Sequence, residues 1–416
     1  MVTSQKIAVS PVLRDAWVEV DLDAIRSNLE LIKSWVGAKE ADGRARLADG
    51  PTTKIMGVVK SDAYGHGALE VGEVLAANGC SWLAVASVDE GVELRKRLTQ
   101  IPILVLSPTP NRALNTAFRH NLDVTITNSK AARTAAEVAA KAGRLGRIHL
   151  KIDTGMHRLG CPVDEAAAMV TEIRNLASLE LISVFSHLAK ASDAKSTDMQ
   201  RQAFDQALHL ISEENVAATT KVETPKKEES AGKFITHLAS SEATRLFPST
   251  HYDMVRVGLY LYGLESRTVS DRLKPAMSVK ARINQIIEID AGESVSYGFT
   301  WTAEHASRLA LLPVGYADGI DRGLSNRMTA LCKGRSLPQV GTISMDMMVF
   351  DITELPEINV EDTVTLIGRD GENTRYLADW AMALDTITYE LACRLRLRLP
   401  RLFVNSRSNQ TSSNPE

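Results

Sequence analysis

The stretch from Lys54 to Ser87 reads KIMGVVKSDAYGHGALEVGEVLAANGCSWLAVAS. An apolar run stops at Lys60 and a glycine-containing turn follows. Apolar residues then recur at helical intervals, and a second apolar run opens at Trp82. Both runs are nearly continuous instead of alternating, as in strands covered on both faces of a parallel sheet. The same unit recurs down the chain. Its further runs are PILVLS, LDVTIT, RIHLKID, LISVFSH, FITHLAS and DMVRVGLYLYG, with helical spacing in SKAARTAAEVAAKAG and DEAAAMVTEIRNLA. Eight runs between residues 54 and 263 match the strand count of a closed β/α (TIM-type) barrel. An open doubly wound sheet is the alternative.

Upstream, DLDAIRSNLELIKSWV has helical spacing, with Asp23 near its start as the expected cap. Beyond a polar segment around Ser266 to Lys274 the texture turns β-rich, in VKARINQIIEID, RLALLPVGYA, RMTALCKG, MMVFDI and DTVTLIG. One helical stretch, RYLADWAMALDTITYELACRLR, lies near the end. The expected fold is α/β: an eight-stranded barrel over residues 22–272, then a mostly β C-terminal domain over 273–405. A strand near 16–21 is expected to pack on the second domain, and the low-complexity tail 406–416 to be disordered. Polar insertions near 36–53 and 215–233 are expected to be loosely ordered.

A net charge of -3 leaves no broad basic face for nucleic acid. No apolar run approaches the roughly 20 residues of a membrane span, and the first residues do not resemble a secretory leader. The four cysteines form no CxxC pair and read as free thiols of a reducing, cytoplasmic compartment. No metal site is expected.

In a barrel of this kind the active site forms where the strands end. The first strand end offers Lys60 and Tyr64, the fifth Lys151, Asp153 and Arg158, and the sixth His187. The seventh offers His237, Ser240 and Ser241, and the eighth Arg256 with Gly258, while Ser87, Ser107 and Thr127 end the others. Singly these have plainer readings: a lysine at a strand terminus is usually solvated, a lone histidine usually a satisfied core residue. Together they have chemical coherence. A lysine held partly buried is the nucleophile for a Schiff base. A serine hydroxyl and the bare amides around Gly258 suit a phosphate. Lysine plus phosphate site points to pyridoxal 5'-phosphate (PLP), with a cofactor-free lysine aldolase still open on these residues alone.

VVKSDAYGHG, KIDTGMHRLG, RVGLYLYG, SYGFTW, LLPVGYADG and GTISMD together resemble the alanine racemases, fold-type III PLP enzymes. AWVEVDLDAIRSNL resembles that family's opening strand and helix, and the likeness runs from about Ala16 to Arg401. It implies that Lys60 carries PLP covalently and acts as the base on the D-face of the substrate Cα. Tyr297 would be the second base, on the L-face. Tyr64, Ser241, Gly258, Leu259 and Tyr389 would surround the phosphate, with Arg256 facing the pyridine nitrogen and His187 beside that arginine. Arg158 and the Met345 amide would hold the substrate carboxylate, Arg158 also reaching the cofactor's phenolic oxygen. Tyr316 and Arg322 would line a narrow mouth, and Lys151 matches a lysine that is carbamylated in some members. In the family, the tyrosine base and the residues matching Met345 and Asp346 come from the partner subunit, which implies a homodimer with shared sites. The implied reaction interconverts L- and D-alanine, supplying D-alanine for peptidoglycan, with no nucleic-acid or membrane partner.

Two positions depart from some members: Ser240 stands in place of asparagine and Thr342 in place of arginine. A racemase of broader substrate range is the nearest alternative reading. A non-catalytic PLP-binding barrel would lack SYG, GYADG and SMD. A decarboxylase of the same fold type would pair the ring nitrogen with an acidic residue.

Overall fold

The computed structural model describes residues 13–37, 53–219, 234–265, 272–395 and 398–405. The chain opens on β1 (Ala16–Asp21) and α1 (Leu22–Val36). Eight parallel strands follow: β2 (Lys54–Val58), β3 (Trp82–Val85), β4 (Ile103–Pro108), β5 (Leu122–Ile126), β6 (Gly146–Lys151), β7 (Leu179–Phe185), β8 (Ile235–His237) and β9 (Met254–Val257). They are ordered β8-β7-β6-β5-β4-β3-β2-β9. Asp253 N donates to Thr236 O and Arg256 N to Ala239 O, both at 3.0 Å, which brings β9 beside β8 and closes the ring. The sheet is therefore the eight-stranded β/α barrel and not the open alternative.

Between the strands lie α2 (Lys60–Gly65), α3 (Ala68–Ala77), α4 (Val88–Arg95), α5 (Asn111–Arg119), α6 (Ser129–Lys141), α7 (Ala166–Asn175), α8 (Ala194–Thr219) and α9 (Ser241–Leu246). Every residue of β3, β5 and β9 is buried, which is why these strands read as mostly apolar runs, broken only by Asp123 and Thr125 in β5 and Arg256 in β9. One of the smaller strand-end residues, and the neighbour of another, start α-helices. Ser87 caps α4 by accepting from Glu90 N, and Asn128, next to Thr127, caps α6 by accepting from Ala131 N.

The second body of structure is a ten-stranded sheet. Its later strands are β10 (Met277–Arg282), β11 (Gln285–Ile289), β12 (Ser307–Leu312), β13 (Thr329–Cys332), β14 (Arg335–Val340), β15 (Met348–Asp351), β16 (Thr363–Asp370), β17 (Asn373–Arg375) and β18 (Arg401–Val404). β1 lies in this sheet, antiparallel to β10 and parallel to β18. The helical stretch near the end is two helices, α10 (Leu377–Leu384) and α11 (Thr388–Arg394). Asp385 adopts φ 53° after α10, where its amide closes back on Ala381 and Met382, and the extended Ile387 restarts the chain.

By internal packing, one compact unit comprises Leu29–Ala63 and Ala68–Leu261 (the barrel), the other Met1–Asn28, Tyr64–Gly67 and Tyr262–Glu416 (the β unit). The tail 406–416 and most of the two insertions lie outside the described residues; α8 runs to Thr219, so the second insertion begins as helix. Among the described residues no helix is long and apolar enough to cross a membrane.

The cap of α1 is not Asp23. Asp21, the last residue of β1, accepts from Asp23 N at 2.9 Å and Ala24 N at 3.0 Å. A cap must keep extended backbone just before the first helical residue, and Asp21 satisfies this. Asp23 sits inside the first turn and pairs with Arg26. Asp21→Ala should lower the unfolding free energy by about 1 kcal/mol in urea titration, and Asp23→Ala by no more than half of that. The reverse order would restore Asp23 as the cap.

Candidate active site

Lys60 stands where β2 ends. The six-residue α2 that it opens is left-handed: φ is 54° at Ser61, 53° at Asp62, 53° at Ala63, 55° at Tyr64 and 79° at Gly65. For L-residues this hand costs roughly 1–2 kcal/mol per residue, so neighbouring structure must hold the turn. Within the barrel, Glu90 does so: its Oε1 accepts from Ser61 N at 2.8 Å and its Oε2 from Ala86 N at 2.7 Å. Asp62 accepts from Ala68 N at 2.8 Å, and Ala63 N donates to Val59 O at 2.9 Å. The last residues of the turn belong to the β unit. There Arg401 Nε donates to Gly65 O at 3.2 Å, and a Cβ on Gly65 would lie 2.5 Å from Ala392 O. Only glycine fits that position.

Arg256, on β9, is buried and donates through both terminal nitrogens. Nη1 reaches His237 Nδ1 at 2.7 Å and His237 O at 3.2 Å, while Nη2 reaches Ser186 O at 2.6 Å, Leu238 O at 3.0 Å and His187 Nδ1 at 3.2 Å. A guanidinium has donors only, so both histidines accept at Nδ1 and carry their proton on Nε2. The rest of a chain then follows without choice. His237 Nε2 donates to Ser183 Oγ at 2.8 Å, Ser183 donates to His149 Nδ1 at 2.5 Å, and His149 Nε2 donates to Asp123 Oδ2 at 3.1 Å. Asp123 also accepts from Trp82 Nε1 at 3.0 Å and Arg147 Nε at 2.8 Å. His237, Ser183, His149 and Asp123 are fully buried.

The charges agree with this polarity. Burial and the Arg256 charge hold His237 well below the ordinary imidazole range. Burial, then Arg256, Lys151, Arg158 and Lys60, do the same to His187. Burial lowers Arg256 to about 9, which leaves it protonated at neutral pH. For Asp123 burial acts upward, but the His149 and Arg147 interactions outweigh it and hold the carboxyl below its usual range.

Lys151, at the end of β6, sits with Nζ 5.5 Å from the centre of the Phe185 ring. Burial, then Arg256, Arg158 and Lys60, lowers it to about 8, with Asp153 opposing. Four cations thus act together at the strand ends. Near them Ser241 Oγ accepts from Gly258 N at 2.9 Å, both buried, with buried Leu259 next in the chain. Concentrated positive charge and a Ser241 hydroxyl that accepts from Gly258 N and keeps its own hydrogen to donate fit an anionic phosphorylated group such as PLP, and Lys60 supplies the amine its aldehyde needs. Among the described residues no group of three His, Cys, Asp or Glu is placed to hold a metal ion.

The β unit holds the other sequence-derived residues. Tyr64 lies 5.1 Å from the Tyr262 ring and 6.2 Å from Tyr389 on α11. Burial, then Tyr389 and Cys393, raises its phenol, so it remains a donor. Tyr297 opens a short turn through Phe299, and the two side chains are 73% and 74% exposed. Met345 and Tyr316 are also exposed. The SMD and GYADG loops are joined: Tyr316 N donates to Ser344 O and Ala317 N to Met345 O, both at 3.0 Å. Gly315 is needed for that approach, since a Cβ there would overlap the carbonyls of Ser344 and Met345. Asp346 accepts from Arg398 at 2.6 Å, and Arg322 is exposed on a nearby turn of the chain.

Lys60, Arg158, His187, Ser241, Arg256, Gly258 and Leu259 thus fall in the barrel, and Tyr64, Tyr297, Met345 and Tyr389 in the β unit. Arg158 is exposed at its loop. Sequence reasoning missed Glu90 and the trio Asp123, His149 and Ser183. A lone charge inside the apolar run LDVTIT was the available signal for Asp123.

Residues 20–266 match the family model "Alanine racemase, N-terminal domain" and residues 276–403 match "Alanine racemase, C-terminal domain". The alanine racemase of Synechocystis sp. is 37% identical over 395 residues, covering 94% of this chain and 99% of that one. Among solved structures, the alanine racemase of Clostridium difficile superposes with a TM-score of 0.82 at 32% identity, covering 96% of this chain and 97% of that one. That of Bartonella henselae, solved with covalently bound pyridoxal phosphate, gives 0.78 at 27% identity, with 94% and 99% covered.

Asp123→Ala leaves the buried His149 imidazole and Trp82 indole N–H without their acceptor and the half-buried Arg147 without its nearest anion, and should cost about 3 kcal/mol in urea unfolding at pH 7. Because the folded pKa of Asp123 is depressed, its contribution is present above the ordinary value of about 4 and lost as pH falls through the folded value. The gap between wild type and variant should therefore narrow in acid. A gap that stays constant down to acid pH would contradict an ionised Asp123.

Proposed function

The chain belongs to the alanine racemase family, and we propose that it performs the family reaction with Lys60 and Tyr297 as two bases on opposite faces of the substrate. It is an isomerase, a PLP-dependent alanine racemase that interconverts L- and D-alanine. PLP, when bound, acidifies the substrate Cα–H by spreading the resulting charge into its ring.

Lys60 would hold the cofactor through its amine and would move the proton on the D-face of the substrate Cα. The left-handed turn fixes the backbone from which this lysine projects. Ser241, Gly258 and Leu259, with Tyr64 and Tyr389, bind the phosphate. Arg158 and the Met345 amide orient the substrate carboxylate, and Tyr316 and Arg322 restrict the mouth to small amino acids.

The observation that carries this reading is that Arg256 donates to every partner around it, none of them a carboxylate among the described residues. Arg256 could only donate to the ring nitrogen of a bound cofactor, which would keep that nitrogen uncharged and favour return of the proton to Cα. His187, accepting at Nδ1, has an N–H at Nε2 to offer. A hydrogen bond from it would favour the phenolate of Tyr297 over the phenol.

A base needs a site closed to water, yet Tyr297 is 73% exposed on the single chain, alongside Phe299 and Met345. We propose that a second copy covers this surface, giving a homodimer whose sites draw on both chains. The domain division proposed is a PLP-binding barrel over 22–272 and a β domain over 273–405, in a cytoplasmic enzyme whose D-alanine is destined for peptidoglycan.

Borohydride treatment of the PLP-loaded protein should fix PLP on Lys60, read by peptide mass, and Lys60→Ala should lose both the adduct and the bound-cofactor absorbance. An adduct at another lysine in wild type would reassign the carrier. Tyr297→Phe should lower turnover about a hundred- to ten-thousandfold. L- and D-alanine have equal free energy, so kcat/KM must fall equally in both directions. The face is reported instead by the isotope effect, which should rise with α-deuterated L-alanine and not with the D-isotopomer. Specific activity should also fall as the enzyme is diluted below its dimer dissociation constant, and a fully active monomer would end the shared-site reading.

A further inference from the structure

We propose that Ser296 and Thr342 are positioning residues that clamp the backbone of Tyr297, an inference resting on the assignment of Tyr297 as the L-face base. Ser296 has φ 68° and ψ -178°. That region is essentially reserved for glycine, and an L-residue there persists only where its surroundings overdetermine it. The determinants are two hydroxyls that cross. Ser296 Oγ donates to Thr342 O at 2.5 Å, and Thr342 Oγ1 donates to Tyr297 O at 2.7 Å.

Backbone carbonyls only accept, so both proton directions are forced. With its hydrogen committed to Tyr297, Thr342 Oγ1 must accept from Thr300 Oγ1 at 3.2 Å, and Thr300 in turn accepts from Asn326 Nδ2 at 3.1 Å. Asn326 Oδ1 closes the ring of contacts by accepting from Gly341 N at 2.6 Å. Gly341 has φ 73°, and a Cβ on it would lie 2.8 Å from Val295 O, so the 295–300 and 341–342 segments run in tight contact. Thr342 is buried while the Tyr297 side chain is 73% exposed. An internally satisfied mount therefore carries a side chain that the described residues of its own chain leave mostly exposed. Strain held beside a reacting group serves preorganisation: the phenol starts from a fixed backbone, and its orientation is not settled anew at each encounter.

A role confined to folding would lower stability without favouring one face of the substrate, and this separates the two readings. The variants are Thr342→Val, which keeps the shape and removes the hydroxyl, Thr342→Ser, which keeps the hydroxyl, and Ser296→Gly, which relieves the backbone strain and removes the donor. In the PLP-loaded dimer, Thr342→Val should lower kcat/KM about tenfold in both directions. It should raise the isotope effect from α-deuterated L-alanine but not from the D-isotopomer, and Thr342→Ser should return both to near wild type. Ser296→Gly should give the same one-sided isotope effect with a melting temperature that does not fall. In the PLP-free protein, hydrogen exchange across residues 295–300 should speed up in both Thr342→Val and Ser296→Gly. If these variants lose melting temperature and activity together with no difference between isotopomers, or if none of the readings move, the clamp is structural and the proposal fails. Tyr297→Phe in the same assay keeps the two questions apart. No one-sided effect in Tyr297→Phe removes the base assignment itself, whereas an effect there but none in Thr342→Val removes only the clamp.

Discussion

Arg256 can give hydrogen bonds and cannot receive them, and much of the barrel interior is arranged around that asymmetry. Because its two histidine partners must accept, each is locked in one neutral tautomer. Through His237 the lock extends to Ser183, His149 and finally Asp123. A cation at one end and an anion at the other leave no alternative set of proton positions between them. The arrangement gives a fixed field at the strand ends, where the charge that develops during proton transfer must be met by dipoles that do not reorganise. Replacing the arginine with an acid would reverse the demand on every member of the chain.

The same logic of one rigid element holding another governs Lys60. A left-handed turn of L-residues is unfavourable by itself, and the Glu90 carboxylate spans from the end of β3 to the amide just after the lysine. The lysine therefore inherits its direction from α4, the helix of the next β/α unit. In the β unit, the Ser344 and Met345 carbonyls take amides from the GYADG loop. Both places show a loop made precise by hydrogen bonds from a neighbouring loop, not by secondary structure of its own.

How much of this was legible beforehand depended on whether the signal was local. Strands covered on both faces are mostly apolar, so all eight barrel strands were visible as runs even with Asp123, His149 and Arg256 set inside them. β14 was not, because half of RSLPQV faces solvent and Pro338 interrupts it. The split between α10 and α11 was hidden since an aspartate, and not a glycine, takes the left-handed position. Residues at strand ends could be gathered by topology alone, which is how Lys60, His187, Ser241 and Arg256 came together. The Asp123 chain could not, because it exists only when β5, β6 and β7 are set in register, with Thr125 opposite His149 and His149 opposite Ser183. The handedness of Ser61 to Tyr64 left no trace in composition, since none of those residues favours it.

That handedness has a stereochemical corollary. A left-handed turn is the mirror image of an ordinary helical one, so its preferred building blocks are D-amino acids. At Ser61, whose side chain is exposed and whose φ is 54°, a D-residue introduced by chemical ligation would find its natural backbone minimum, where the L-residue sits against a preference of roughly 1–2 kcal/mol. The lysine that handles the D-face of alanine is thus followed by a segment folded as though it were made of the enantiomer the enzyme produces.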